Sequence, residues 1–205
     1  MQRQKSYDLN FIIGIIIILV AIIDLIFGIL KDPLEDLLWF SNTILFLLGF
    51  AFIFKSKLLM GSVLILSIVE LFWLIDFLGN ILIGRGIFGG TTDYMFSIYG
   101  INSFRFYIEL DHTLVFPLSI YGTYKIGLHN KSYILSSAYA IILNTLTFFF
   151  TPLEKNINCI QRLCFLKENP FKVSNKLYFI IWTLFLCITA YFLNKVMMKI
   201  NKIKK

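Results

Sequence analysis

Residues 11–30 read FIIGIIIILVAIIDLIFGIL, a run in which Asp24 is the only ionisable side chain. Twenty residues at 1.5 Å rise make a helix of about 30 Å, the thickness of a bilayer's hydrocarbon core. The run is continuously apolar and does not alternate, so it predicts a helix and not a strand of a membrane barrel. Arg3 and Lys5 precede it, as basic residues precede a secretion signal. However, the run exceeds the roughly 7–15 apolar residues of such signals, carries Asp24 and lacks a small-x-small cleavage pattern. It is read as a retained membrane helix.

Working outward, five more runs have comparable length, at about 35–54, 58–82, 106–124, 132–151 and 177–195. With the first, at about 10–30, they predict an all-α, polytopic integral membrane protein of six helices, residues 1–205 forming a single transmembrane domain. Composition agrees: of 205 residues 58% are hydrophobic and only 15% charged, and mean hydropathy is +0.79. Such a chain carries more apolar surface than one small soluble core can bury. A cytosolic enzyme, a disulfide-framework module and a disordered chain are excluded. The net charge of +7 does not indicate a nucleic-acid partner, because most Lys and Arg sit where apolar runs stop.

Those flanking charges set the expected orientation. Short basic connections at 55–57 and 125–131 and the lysine-rich tail fall on the side of the N-terminus, whereas most acids fall opposite. The positive-inside rule then predicts N-in, C-in in the cell (cytoplasmic) membrane. Two longer outer loops follow, about 84–105 and 152–176. The first is rich in glycine and aromatics and is expected to fold as a cap. The second holds Cys159 and Cys164, a candidate disulfide if that side is oxidising, and their spacing is a poor metal signature. No Walker, dinucleotide or HExxH pattern occurs, and neither cofactor nor metal is expected. The expected partners are membrane lipids and a second copy or another membrane protein.

Polar residues within apolar runs are the candidates for function, since each ionisable group inside a span costs about 2.5–3.5 kcal/mol on insertion scales. They are Asp24, Glu70, Asp76, Glu109, Asp111 and His112, with Ser41, Asn42, Thr43 and Asn144. Counting residues from the ends of the runs places most of them in the outer half of the membrane. Helical spacing puts Trp73, Asp76 and Asn80 on one stripe, Glu109, His112 and Ser119 on another, and Ala140, Asn144 and Thr147 on a third. Glu70 is too deep to reach the interface. His112 is the one side chain with an unperturbed pKa near neutrality.

A hydroxyl beside an imidazole is the minimum for acyl transfer. The ring accepts the hydroxyl proton, the oxygen attacks an ester carbonyl, and the protonated ring then supplies the leaving group. His112 is the candidate base and Thr43 or Ser41 the nucleophile, with Asp76 or Glu109 orienting the ring.

Residues 112–117, HTLVFP, resemble the H-T-x-V-x-P segment of the androgen-induced six-helix threonine hydrolases of fatty-acid esters. In that family the histidine is catalytic, and the nucleophilic threonine follows a Trp-containing stretch in an early helix. Residues 39–43, WFSNT, occupy the comparable place. The layout is also similar to bacterial relatives of the transmembrane cysteine–histidine acyltransferase, whose cysteine would correspond to Ser41. These resemblances imply a lipid-ester hydrolase or acyltransferase. A proton-coupled transporter using Glu70, His112 and Asp76, and a non-catalytic scaffold or assembly protein, are the other two readings. The segment 151–158, TPLEKNIN, looks motif-like without suggesting a chemistry.

Overall fold

A computed structural model describes residues 8–164 and 173–203, the last three by backbone only. Among these residues the structure is all-α, with no strand. Helix α1 spans Leu9–Lys31, α2 Phe40–Ile53, α3 Lys57–Leu66, α4 Ile68–Ile83, α5 Phe104–Ile108, α6 His112–Ile126, α7 Ser132–Phe150 and α8 Asn175–Ile203. Three of these, α1, α7 and α8, are long and apolar enough to cross a membrane, and α3 with α4 would make a fourth as one bent span. Their outward faces fit that role. Ile16, Leu19, Ile23, Ile26 and Ile29 of α1 are each more than half exposed, a stripe that water would not tolerate and lipid would.

The helices bundle around a core of Ile17, Leu48, Phe52, Met60, Val63 and Val115. Helices α1 and α2 approach closely where two glycines face each other. A Cβ on Gly14 would lie 2.8 Å from the Gly49 carbonyl oxygen, so any side chain there would push the pair apart. Contacts at the two ends order the bundle. Asp8, which caps α1, pairs with Lys55 beyond α2, and Asn194 of α8 donates to the Asn130 carbonyl before α7. At the other end Lys155 meets Glu35 at 3.2 Å and Asp36 at 3.0 Å. Residues 84–105 cover this second end, here called the cap end.

The elements depart from six uninterrupted helices in ways that local chemistry explains. The run expected at 35–54 opens with a 3-10 turn, Leu34–Leu38, and becomes α-helical only at Phe40. The run expected at 58–82 bends by 47° between α3 and α4. At the bend Ser67 Oγ bonds the Leu64 carbonyl and Ser119 Oγ of α6, so its hydroxyl makes contacts outside the ordinary helical ladder. The run expected at 106–124 is divided by a 3-10 turn, Glu109–Asp111, just before His112. Pro117 lies one turn into α6 and withholds the N–H that the Thr113 carbonyl would otherwise receive. The last helix runs further than expected, to Ile203.

Both longer loops are ordered where described. Residues 84–105 leave α4 at Gly84, whose φ of 72° is left-handed, and include a π-helical turn, Met95–Tyr99. After α7 come two 3-10 turns, Leu153–Lys155 and Ile157–Cys159, and Cys159 is disulfide-bonded to Cys164. The part of that loop from 165 to 172 lies outside the described residues.

Candidate functional site

The polar residues expected in one layer separate into distinct groups. The largest surrounds His112. Its Nδ1 lies 3.4 Å from Glu70 Oε2 on α4, and its Nε2 lies 3.2 Å from Glu109 Oε2 on its own chain segment. Both imidazole nitrogens therefore face carboxylates. Trp73 of α4 covers the ring at 5.1 Å between centroids. The 3-10 turn has a direct effect here: by tightening the turn before α6, it delivers Glu109, Asp111 and His112 to one buried location.

Glu109 links this ring to the cap end. Its Oε2 accepts from the Tyr94 hydroxyl at 3.0 Å, and its Oε1 lies 2.6 Å from Arg105 Nη2. Burial first, and the Glu109 charge second, push the Tyr94 phenol well above its ordinary value, so it serves as a donor and not as a phenolate. The same Arg105 nitrogen lies 2.9 Å from Asp32 at the end of α1, and Nη1 lies 3.8 Å from Asp24 within α1. Phe27 and Tyr99 flank the guanidinium at 5.4 and 5.6 Å from their centroids. Burial raises the Asp32 carboxyl above its ordinary value, an effect that Arg105 beside it only partly offsets. The result is a connected series, Glu70–His112–Glu109–Arg105–Asp32, leading from the bend of α3 and α4 to the cap end.

Charge within this group does not balance. Even with Asp32 left aside, the buried carboxylates Asp24, Glu70, Glu109 and Asp111 outnumber by two the cations that reach them, Arg105 and a protonated His112. Asp32 draws further on the same Arg105. Isolated ionised carboxylates are very costly in a low-dielectric interior, so protons or a bound cation must make up the difference.

Asp76 does not join this group, although spacing placed it on a stripe with Trp73 and Asn80 that has Glu70 one turn deeper. Its Oδ1 accepts from the Phe88 N–H at 2.6 Å, and its Oδ2 accepts from the Thr92 N–H at 2.9 Å and from the Thr91 and Thr92 hydroxyls at 3.0 Å each. The cap is folded around this carboxylate. Gly86 is required beside it, because a Cβ there would lie 2.6 Å from Asp76 Oδ1. Asn80 strengthens the attachment through Thr92 and Asp93. Asp76 is thus a fully satisfied anchor and corrects its expected place beside His112.

The proposed nucleophiles also have other surroundings. Thr43 Oγ1 is hydrogen-bonded to the Tyr139 hydroxyl on α7 and donates back to the Phe40 carbonyl at 3.2 Å. Asn42 donates to the Asp36 carbonyl at 2.9 Å, and Ser41 makes no side-chain hydrogen bond among the described residues. Neither hydroxyl meets His112, whose partners come from α4 and its own segment. The hydroxyl–imidazole pair that acyl transfer needs is not assembled. Asn144 belongs to yet another contact, donating to Thr183 Oγ1 on α8 at 3.2 Å.

The unexplained segment 151–158 acquires a structural role. Asn158, at a left-handed φ of 54°, accepts from the Phe40 N–H at 2.9 Å and donates to the Leu38 carbonyl and to Thr147 Oγ1 at 2.8 and 2.9 Å. Its carbonyl receives the Trp182 indole N–H at 3.0 Å. One asparagine thereby supplies the N-terminal acceptor that α2 lacks locally and ties it to α7 and α8. Asn156, also left-handed, accepts from the Gln161 and Arg162 N–H groups and folds the chain toward the disulfide.

Sequence reasoning used Arg105 only to mark the end of a run and missed it as the central cation. The available signal was its i, i+4 spacing to Glu109. Among the described residues no group of His, Cys, Asp and Glu could hold a metal ion. Compared with protein-family models, curated proteins and solved structures, the chain matches none of them.

Proposed function

We propose that the chain is a six-pass protein of the cell membrane, with both termini inside, that takes up and releases protons at His112 from the outer side and couples this to a bound solute. The observation that carries the reading is the His112 ring held between Glu70 and Glu109 in a buried group with more carboxylates than cations. An imidazole between two acids exchanges a proton through either nitrogen with little movement. Arg105 and Asp32 provide the polar route to the cap end. The disulfide at that same end favours an oxidising, outer compartment there, in keeping with the flanking-charge rule.

Coupling to a solute is favoured over simple conduction because the polar series stops. Beyond Glu70 lie the Ser67–Ser119 contact and then the apolar packing of Phe52, Met60 and Val63, a core whose buried described residues include no Asp, Glu, His, Lys or Arg. A proton arriving from the cap end must return or await a rearrangement at the bent α3–α4 joint. The testing experiment places purified protein in liposomes and follows proton uptake after an external pH jump. Wild-type protein takes up protons, and Glu70→Gln and His112→Asn lose most of that uptake. Uptake unchanged by Glu70→Gln would overturn the reading.

A further inference from the structure

A cleft of about 550 Å³ separates α1 from the α5–α6 segment, and both Asp24 and Asp111 line it. Most of the remaining wall is apolar, including Val20, Ile23, Tyr107 and Leu114. Asp111 is only 5% exposed, and neither of its carboxylate oxygens has a hydrogen-bond partner. Its nearest positive group is His112 Nε2 at 3.8 Å, a nitrogen already closer to Glu109 at 3.2 Å. Asp24 is in the same position with respect to Arg105. The guanidinium stands 3.8 Å away and is engaged more closely by Glu109 and Asp32. The two buried carboxylates whose neighbouring cation is engaged more closely by other groups are thus the two that line the cleft.

The shape of the cleft selects among cations. A hard metal ion prefers six or more oxygen ligands, whereas this wall offers two carboxylates and the Thr113 hydroxyl among hydrocarbon. A volume of 550 Å³ lies within the usual range for small organic ligands. Depth selects further. Asp24 is seven residues from Lys31 at the end of α1, about 10 Å along the helix axis, below the level of lipid head groups. An ammonium that reaches it must be carried into the hydrocarbon on a single chain, which Val20 and Leu114, one turn further in, can receive.

We propose that this cleft binds a single-chain amphiphile through its protonated amine, the ammonium between Asp24 and Asp111 and the alkyl chain along Val20, Ile23 and Leu114. This names a ligand class for the proton-exchanging group and rests on that reading's charge imbalance, though not on proton movement. An ammonium at Asp111 sits beside the His112 ring, so amine and proton compete for the same carboxylates.

Full-length protein in phosphatidylcholine nanodiscs is titrated with dodecylamine, with the neutral dodecanol and with the short ethylamine, by calorimetry and thermal shift. Saturable dodecylamine binding is expected, weakened about tenfold or more in Asp111→Asn and Asp24→Asn, with dodecanol and ethylamine at least as much weaker. Leu114→Trp, which fills the cleft and leaves every charge in place, should abolish binding while the protein still melts cooperatively. Equal affinity for dodecanol, or binding indifferent to both Asn variants and to Leu114→Trp, would overturn the proposal. Displacement of dodecylamine by phosphatidylethanolamine would assign the site to a lipid head group and overturn the single-chain form. The liposome pH-jump uptake assay on the same variants separates the two claims. Lost binding with intact uptake removes the ligand alone, and absent uptake with Asp111-dependent binding removes proton exchange and sustains the ligand site.

Discussion

Asp76→Ala removes the acceptor around which the cap is folded, and the consequence can be worked from its contacts. Four donors lose their partner: the Phe88 and Thr92 N–H groups at 2.6 and 2.9 Å, and two threonine hydroxyls at 3.0 Å. Hydrogen bonds to a charged group contribute about 1.5–3 kcal/mol each, but four bonds to one carboxylate are not additive. The hydroxyls can rotate toward other acceptors, whereas the two backbone N–H groups cannot. Stranding those two costs about 3–5 kcal/mol, enough to open the cap locally while the helices persist. Hydrogen exchange with peptide-level mass analysis should show residues 86–97 exchanging roughly 10²- to 10⁴-fold faster, and α2 and α7 unchanged. Asp76→Asn, which keeps one acceptor oxygen, should fall between. Unchanged exchange over 86–97 in the alanine variant would refute the anchoring role.

Three further outcomes follow from the same contacts. Asn158→Ala strips the N-terminal acceptor from α2 and two bonds to α7 and the Leu38 carbonyl, and should lower stability in detergent by about 2–4 kcal/mol, read as a fall in melting temperature. An unaltered melt would show that the latch is dispensable. Maleimide should label Cys187 alone in denatured, unreduced protein and all three cysteines after reduction; labelling of Cys159 before reduction would contradict the disulfide. Thr43→Val loses one bond to Tyr139 and should change stability by about 0.5–1.5 kcal/mol without affecting proton uptake, and fluorophosphonate probes should leave the wild-type protein unlabelled. Labelling that vanishes in Thr43→Val and in His112→Ala would restore acyl transfer.

Much of the architecture was legible because the bilayer imposes one requirement, about 20 apolar residues in helical form, and α1, α7 and α8 satisfy it plainly. The breaks before Phe40, at Ser67 and before His112 were not, since at each a side chain from a distant segment makes the contact: the Asn158 carboxamide, the Ser119 hydroxyl and the Glu70 carboxylate. The set of candidate residues was legible for the same thermodynamic reason: ionisable groups in apolar runs need partners. Which partners they take was not. Depth and helical phase put Asp76 in the layer of His112 and on the stripe of Trp73, which does cover the ring, yet side-chain direction sends Asp76 to Thr92 and the cap. Phase likewise could not show that Thr43 turns to Tyr139 across the bundle. Asn158 gave only a motif-like impression, because its meaning lies in groups more than a hundred positions earlier, Leu38 and Phe40.

If the His112 ring, held between Glu70 and Glu109, exchanges protons with water, its protonation must follow pH. The chain has only two histidines, so His129→Gln leaves a single ring to observe. Nitrogen-15 spectra of histidine-labelled protein in nanodiscs, recorded from about pH 5 to 9, report its protonation directly. The expected result is a ring whose resonances respond to the pH of the buffer and whose response moves in both Glu70→Gln and Glu109→Gln. Resonances that stay fixed across that range, or that respond identically in both variants and in the wild type, would contradict it.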